Sequence, residues 1–226
     1  MARVLVTGGA GYVGAHACKA LAAAGHAPVV YDNLSTGWRD AVRWGPLVEG
    51  DLADAGALDA AFARHRPEAV MHFAALSNVG ESVAEPLRYW ANNAGGTLAL
   101  LGAMARHGVG AIVVSSTCAT YGTAAGETLS ETDIQAPVNA YGRSKLAMEH
   151  MLADLGAASD LRSVAFRYFN AAGADPDREI GEDHRPETHL VPLVLDAISG
   201  RRGEISVFGT DYPTPDGTCI RDYVHV

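Results

Sequence analysis

Six short runs rich in β-branched residues alternate along this 226-residue chain with segments of helical pattern. Nearly continuous apolar strands are typical of a parallel sheet that is covered on both faces. Strands that alternate with helices also predict right-handed βαβ units. We therefore predict an α/β fold with a doubly wound parallel sheet. The predicted strands are Arg3–Thr7, Pro28–Asp32, Pro46–Glu49, Ala69–Phe73, Ala111–Ser115 and Ser163–Arg167, and the predicted helices are Ala15–Ala24, Ala55–Arg64, Ala91–His107 and Tyr141–Leu155.

The pattern changes after Asn170, where the chain becomes more polar. Ala174–Glu187 contains two prolines and predicts a long loop. His189–Ser199 predicts one more helix, and Glu204–Phe208 predicts a strand. The last run, Ile220–Val226, is also strand-like. Because the sequence ends inside this run, we expect the chain to be a fragment of a longer protein.

Composition excludes several classes of protein. Seventeen Lys and Arg against 26 Asp and Glu give a net charge of −9, which argues against binding to nucleic acid or to an anionic membrane surface. The three cysteines and the scattered histidines lack metal-ligand spacing, so we expect no disulfide framework and no metal. Without a signal-peptide pattern or a run of 18 apolar residues, the sequence predicts a cytoplasmic protein.

Three glycines, Gly8, Gly11 and Gly14, lie between the first strand and the first helix. Such a loop allows close approach of a pyrophosphate, and the following helix N-terminus offers N–H donors to it. Asp32 ends the second strand, where a carboxylate binds ribose hydroxyls and repels a 2′-phosphate. This combination favours NAD over NADP. The alternative is a glycine turn that only packs a helix on the sheet.

Tyr141 and Lys145 lie four residues apart and share one face of a predicted helix. A lysine charge beside the phenol stabilises phenolate, so we expect the pKa of Tyr141 to be lowered towards neutrality. Such a tyrosine is a usable general base for a hydroxyl proton. A chance helix pair is the alternative, but the hydroxyl cluster Ser115–Thr117 ends the fifth strand, at the edge where parallel sheets bind ligands.

These motifs resemble those of the extended short-chain dehydrogenase/reductase family, and most closely its UDP-hexose 4-epimerase branch. The similar strings run from residue 3 to residue 226 in family order, which makes the resemblance specific. They are VTGGAGYVGAH, DNLSTG, GDLAD, HFAALSNVGESV, NNAGGTL, SSTCATYG, NAYGRSKLAMEH, RYFNAAGA and FGTDYPTPDGTCIRDYVHV.

The resemblance implies a Rossmann-like NAD-binding domain at residues 1–170. Residues 171–226 would form part of a smaller substrate domain, interleaved with the first. The family continues for roughly a hundred residues more, the size of an ordinary second domain. The NAD contacts it implies are Gly8, Gly11, Tyr12, Val13, Asp32, Asn33, Leu34, Ser35, Thr36, Gly37, Asp51, Leu52, Phe73, Ala74, Ala75, Asn92, Tyr141, Lys145 and Phe169.

The implied reaction is NAD-dependent epimerisation at C4 of a UDP-hexose, which interconverts UDP-glucose and UDP-galactose through a transient 4-keto sugar. Tyr141 would be the base, Lys145 its electrostatic partner, and Thr117 the hydrogen-bond donor to the sugar 4′-oxygen. The same resemblance implies a homodimer formed by the helices Ala91–His107 and Tyr141–Leu155. Packing within one chain is the alternative explanation for the apolar stripes of these helices. The substrate contacts it implies are Thr117, Tyr141, Asn170, His189, Leu190, Ser206, Val207, Phe208 and Arg221.

Related activities are separated by particular residues or by substrate tests. Nucleotide-sugar 4,6-dehydratases carry Asp-Glu after the catalytic threonine, whereas Cys118 and Ala119 follow Thr117 here. An epimerase acting on another nucleotide sugar, such as UDP-glucuronate, is separable only by substrate tests. A fragment that binds NAD without turnover is the alternative from a different class.

Overall fold

In a computed structural model, which describes residues 1–123, 128–207 and 209–226, six strands form one parallel sheet. The strands are β1 (Arg3–Thr7), β2 (Ala27–Asp32), β3 (Leu47–Glu49), β4 (Ala69–His72), β5 (Ala111–Ser115) and β6 (Arg162–Phe166). Their order across the sheet is β3-β2-β1-β4-β5-β6. This order reverses direction beside β1, which makes the sheet doubly wound and confirms the predicted Rossmann-like fold class.

The helices between these strands follow the predicted positions with small shifts at their ends. A π-helical turn, Trp90–Gly95, leads into α5, so the predicted helix Ala91–His107 is two segments of different geometry. The helices of this part are α1 (Tyr12–Ala23), α2 (Ala55–His65), α3 (Val79–Ala84), α4 (Pro86–Tyr89), α5 (Gly96–Arg106) and α6 (Ala140–Ala158).

The sequence analysis missed the short helices α3 and α4. Their end signals are present, because Asn78 Oδ1 accepts a hydrogen bond from Glu81 N at 3.0 Å and Pro86 is the first residue of α4. Asparagine before a helix and proline at its first position are common start signals. Each segment is too short to show a hydrophobic period, so only these signals could have revealed it.

The main core lies between the sheet and helices α2, α5 and α6. Leu5 and Val114 are fully buried on neighbouring parts of the sheet, and Leu58 and Leu100 meet them from the helices. Burial of side chains this large contributes about 1.5–3 kcal/mol each, as an upper estimate. The core therefore holds the carboxyl ends of β1, β2, β4 and β5 in a fixed arrangement.

The chain divides into two compact units, Met1–Tyr168 and Phe169–Val226. The second contains α7 (Leu190–Ile198) and a parallel pair formed by β7 (Asn170–Ala172) and β8 (Tyr223–His225). Assignment of these parts to cofactor and substrate stays a prediction.

The strand predicted at Glu204–Phe208 is wrong for its described part. Residues 204–207 form no strand, and Val207 is exposed. A strand persists only where its backbone groups find partners, and in this unit β7 and β8 pair with each other instead. Phe208 lies outside the described residues. Within the described parts of the chain, no helix combines the length and the apolar character needed to cross a membrane.

Candidate active site

The glycine loop after β1 is closed to larger side chains. Gly8 has a φ of +72°, and a Cβ there would lie 2.5 Å from the Ala74 nitrogen. A Cβ on Gly14 would lie 2.1 Å from the Gly8 carbonyl oxygen. The loop is also pinned to the sheet, because Gly8 N donates to Tyr31 O at 2.9 Å. Glycine is therefore required here by both backbone conformation and close packing.

Helix α1 begins directly after this loop, with Tyr12 and Val13 in its first turn. Its N-cap residue is Gly11, which has no side chain to accept a hydrogen bond from the first-turn N–H groups. Those donors and the positive end of the helix dipole are suited to an anion such as a pyrophosphate. The geometry thus fits the role predicted for this loop.

Asp32 joins the glycine loop to the loop that follows β2. Its carboxylate is 8% exposed and accepts hydrogen bonds from Ala10 N at 3.0 Å and Leu34 N at 2.8 Å. A carboxylate offers about four lone-pair sites, so two of them remain available for ribose hydroxyls. Burial of this negative charge beside the loop supports discrimination against a 2′-phosphate.

The other residues predicted for adenosine lie around the ends of β2 and β3. Asn33 Nδ2 donates to Asp51 Oδ2 at 2.8 Å, and Tyr31 donates through its hydroxyl to Asp51 O at 2.8 Å. Leu52 is buried. The loop of Ser35, Thr36 and Gly37 returns to the glycine loop, since Trp38 N donates to Ala10 O at 2.9 Å.

The end of β4 lies beside the glycine loop. Phe73 N and Ala74 N both donate to Thr7 O, at 2.9 and 3.1 Å, and Ala75 follows them. Asn92, predicted as a cofactor contact, donates through Nδ2 to Asn93 Oδ1 at 2.9 Å.

Asn93 supports the candidate site and was not among the predicted residues. It is 1% exposed, and its amide bonds both Leu76 N and Leu76 O, at 2.9 and 3.0 Å. Its Nδ2 also donates to Ser144 Oγ at 3.0 Å. Asn93 therefore fixes the loop after β4 against α6, the helix that carries Tyr141. The paired asparagines in NNAGGTL were the available signal.

Helix α6 carries Tyr141 and Lys145 to the carboxyl end of β5. The helix starts at Ala140 because Asn139 Oδ1 accepts a hydrogen bond from Gly142 N at 2.8 Å. Lys145 is 2% exposed, and its Nζ donates to Ser115 O at 2.7 Å. The Thr117 hydroxyl is close enough to the Tyr141 phenol to lower the pKa of this tyrosine. The structure thus brings all three predicted catalytic side chains to one edge of the sheet.

Burial controls the pKa values of this pair. It raises the pKa of Tyr141 to about 12, against a smaller lowering by the Thr117 hydrogen bond, and it lowers the pKa of Lys145 to about 7. The expectation that the tyrosine pKa is lowered is therefore wrong for this structure. Loss of hydration disfavours phenolate and ammonium alike, and the lysine amine is engaged by a backbone carbonyl.

A network of charged and polar side chains supports the carboxyl end of β5. Glu149 is one turn beyond Lys145 on α6, and its carboxylate pairs with Arg167 Nη2 at 2.7 Å. Ser116 donates its hydroxyl to the same carboxylate, and Arg167 Nη1 donates to the Tyr121 hydroxyl at 2.8 Å. These contacts hold the segment Ser115–Thr117 in place between β5 and α6, and the sequence analysis did not identify them.

His72, at the end of β4, is buried between two threonines. Its Nδ1 lies 2.6 Å from Thr7 Oγ1 and its Nε2 lies 3.0 Å from Thr97 Oγ1. Thr97 Oγ1 donates to Asn93 O at 2.7 Å, so His72 belongs to the same hydrogen-bonded network as Asn93. Burial, together with the charge of Lys145, lowers the pKa of His72 to about 3.

This buried imidazole predicts a specific loss of stability in acid. Between about pH 3 and the ordinary imidazole pKa of 6.5, the unfolded chain binds a proton that the native protein does not. Stability from this residue therefore falls as the pH decreases through that window, by up to about 1.4 kcal/mol per pH unit. The free energy of unfolding, measured with urea at several pH values, should depend less steeply on pH for His72→Asn than for wild type. Equal slopes would contradict the prediction.

The predicted substrate residues belong to the second unit, apart from Thr117 and Tyr141. Asn170 donates through Nδ2 to Asp222 O at 2.7 Å, next to the exposed Arg221. Phe169 is exposed, as are Ser206 and Val207. Phe208, also predicted, is outside the described residues.

His189 and Leu190 begin helix α7, and the structure places His189 in a cluster that the sequence analysis did not foresee. Its Nδ1 lies 2.8 Å from Glu182 Oε1 and 3.0 Å from Glu187 Oε1. These contacts raise the pKa of His189, chiefly through the Glu182 hydrogen bond. His184 Nδ1 is 3.3 Å from the same Glu182 oxygen.

Comparison with known proteins gives closely similar relatives. The chain is 56% identical over 223 residues to the UDP-glucose 4-epimerase of Rhizobium leguminosarum bv. trifolii, covering 99% of this chain and 68% of that protein. It matches the crystal structure of UDP-glucose 4-epimerase from Brucella ovis in complex with NAD, with a TM-score of 0.95 and 54% identity, over 100% of this chain and 69% of that one.

A third relative is the solved structure of UDP-glucose 4-epimerase from Bifidobacterium longum in complex with NAD⁺ and UDP. The chain matches it with a TM-score of 0.95 and 36% identity, over 99% of this chain and 70% of that one. A family model described as the NAD dependent epimerase/dehydratase family matches residues 4–226. With the glycine loop, the Tyr141–Lys145 pair and the doubly wound sheet, these matches show that the chain belongs to the NAD-dependent epimerase/dehydratase family.

Proposed function

We propose that this chain catalyses NAD-dependent epimerisation at C4 of a UDP-hexose and so interconverts UDP-glucose and UDP-galactose. The observation that carries the proposal is the meeting of Thr117, Tyr141 and Lys145 at the carboxyl end of β5. These side chains can bind a sugar hydroxyl, remove its proton and compensate the resulting charge. The names of the Rhizobium, Brucella and Bifidobacterium relatives support the same activity.

The residues of this chain fit NAD. The backbone packs so closely at Gly8 and Gly14 that neither position accepts a Cβ, and the N-terminus of α1, which has no side-chain cap, is suited to a pyrophosphate. Asp32 would bind the adenosine ribose, while Asp51 and Leu52 would flank the adenine. When bound, NAD supplies a hydride acceptor for oxidation at C4′ and the matching hydride donor for its reversal.

Tyr141 is the proposed general base and acid. Its phenolate oxygen would take the proton from the 4′-hydroxyl of the sugar during oxidation, and the resulting phenol would return it after the 4-keto sugar has presented its other face. Thr117 would hydrogen-bond the 4′-oxygen and orient it towards Tyr141. Lys145, once charged, would stabilise the phenolate that burial otherwise disfavours.

The UDP portion would hold the intermediate while the sugar turns. Binding energy from this non-reacting part keeps the ketone from escaping. We assign it, by resemblance, to Asn170, His189, Leu190, Ser206, Val207, Phe208 and Arg221, with Arg221 pairing a phosphate.

The test is incubation of the 226-residue chain with UDP-galactose and NAD, with separation of nucleotide sugars by anion-exchange chromatography. We expect UDP-glucose to form without net reduction of NAD, because the hydride returns to the sugar. UDP-galacturonate, in a parallel reaction, measures any preference for a uronate. NAD binding in calorimetry without conversion of UDP-galactose would overturn the proposed activity and identify a binding protein.

We also propose a homodimer, in the cytoplasm, as the state in which this chain acts. Leu87 and Leu98, on α4 and α5, are 81% and 62% exposed, and Val83 on α3 is exposed as well. Large apolar side chains exposed on successive helices favour an interface. Sedimentation equilibrium should give twice the 23.6 kDa chain mass, and Leu98→Asp should shift the protein towards monomer. A wild-type monomer at micromolar concentration would contradict the dimer.

A further inference from the structure

Four side chains of the second unit converge just before helix α7. They are Glu182, His184, Glu187 and His189, which we call the His–Glu cluster. One donor atom from each residue lies within 4.8 Å of all the others. Two of these donors are imidazole nitrogens and two are carboxylate oxygens. This is a mixed donor set that holds first-row transition metals well.

The distances within the cluster lie on both sides of the separation between ligands of one small cation. His189 Nδ1 lies 2.8 Å from Glu182 Oε1, and His184 Nδ1 lies 3.3 Å from that oxygen and 3.7 Å from Glu187 Oε2. In a tetrahedral zinc site with bonds of about 2.0–2.1 Å, neighbouring ligand atoms are about 3.3 Å apart. Only small side-chain adjustments would therefore be needed to place an ion among them.

Charge gives a second argument. With both imidazoles neutral, the two carboxylates give the cluster a formal charge of −2, which one divalent cation balances. The carboxylate of Glu182 is only 7% exposed, so water offers it little compensation. The two imidazole rings lie beside the same carboxylate, with ring centroids 4.9 Å apart.

Both histidines direct Nδ1 to the same oxygen of Glu182. We propose that the His–Glu cluster binds one divalent transition-metal ion of the Zn²⁺ class, which fixes the loop of residues 182–189 to the start of α7. The ion would link the ends of a segment that forms no helix or strand. None of the steps assigned to Tyr141, Thr117 or Lys145 uses this ion. His189 is shared with the proposed UDP contacts, so the test below uses His184 and Glu187, which have no role in the proposed function.

Co²⁺ titration of the chelator-treated 226-residue chain tests the proposal, in a buffer free of phosphate. Co²⁺ in a site of low coordination number absorbs visible light much more strongly than aqueous Co²⁺ does. We expect this absorption to saturate at one Co²⁺ per chain and to disappear on addition of Zn²⁺. His184→Ala and Glu187→Gln should each weaken Co²⁺ binding by at least about 100-fold.

Asp177→Asn is the matched control. Asp177 belongs to a separate group of acidic residues, with Asp175 and Glu179, earlier in the same unit. This variant should bind Co²⁺ as wild type does, because it leaves all four proposed ligands in place. Far-UV circular dichroism checks the fold of each variant, and Glu187→Gln keeps the size of the side chain.

Two results would overturn the proposed metal site. One is a wild-type titration in which the Co²⁺ spectrum remains that of the aqueous ion. The other is binding by both His184→Ala and Glu187→Gln with wild-type affinity and stoichiometry, which would place the ion elsewhere. Both readouts are spectroscopic, so neither depends on epimerase turnover.

Discussion

Tyr141→Phe is expected to lower kcat for conversion of UDP-galactose by about 10²–10⁴-fold. The variant keeps the aromatic ring and removes only the phenolic oxygen that is proposed to take and return the 4′-proton. Folding should therefore change little, because the ring packing is retained. Steady-state rates at saturating substrate measure the effect, and calorimetry with NAD shows whether the cofactor site persists.

Tyr89→Phe is the matched control for this substitution. Tyr89 is fully buried and packs edge-on against Tyr141, with ring centroids 6.5 Å apart. Its hydroxyl donates to Glu81, not to a residue assigned to catalysis. We expect Tyr89→Phe to keep kcat within a few fold of wild type. Undiminished turnover by Tyr141→Phe would remove this tyrosine from the mechanism.

Gly8→Ala is expected to destabilise the protein by about 2–5 kcal/mol and to remove measurable NAD binding. Strain at positive φ costs an L-residue about 1–2 kcal/mol, and overpacking a close contact costs about 1–3 kcal/mol more. The new methyl group would meet the Ala74 backbone at 2.5 Å, so the loop or the end of β4 must move. Urea unfolding gives the stability loss, and calorimetry with NAD gives the affinity.

Gly25→Ala separates backbone strain from overpacking as causes of the expected stability loss. Gly25 has a φ of +77°, almost the same as Gly8, but no other group lies within 4 Å of the position that an alanine methyl would occupy. Its substitution therefore reports conformational strain alone and should leave NAD affinity unchanged. If Gly8→Ala and Gly25→Ala lost equal stability and both bound NAD normally, the packing argument for the glycine loop would fail.

The sheet could be predicted well from sequence because each strand is a short β-branched run in a parallel, doubly covered sheet. Arg3–Thr7 and Ala111–Ser115 match the structure residue for residue. The second unit was harder, because its apolar residues are few and its pairing is not local. Residues Glu204–Val207 have strand-like composition but no ladder partner among the described residues, and composition alone does not reveal partners.

The residues of the candidate site also divide into those that a motif indicates and those that it does not. Residues with a motif, such as Gly8, Tyr141 and Lys145, could be proposed from sequence because their chemistry requires particular residue types at a particular spacing. Their roles stay predictions. Supporting residues such as Asn93 and Glu149 were not, since their partners lie 51 and 18 residues away. The predicted pKa of Tyr141 was wrong for a related reason, because burial depends on the whole fold and not on the neighbouring lysine alone.

The long-range bonds of His72 have a consequence for folding. Thr7 and His72 are 65 residues apart, and Asn93 and Ser144 are 51 residues apart. Contacts of this kind require the closure of long loops, which costs chain entropy. Thr7 and His72 are also direct partners in the β1–β4 ladder, so their side-chain hydrogen bond accompanies the pairing of these strands. The position of the proposed base thus depends on contacts that no short fragment of the chain makes by itself.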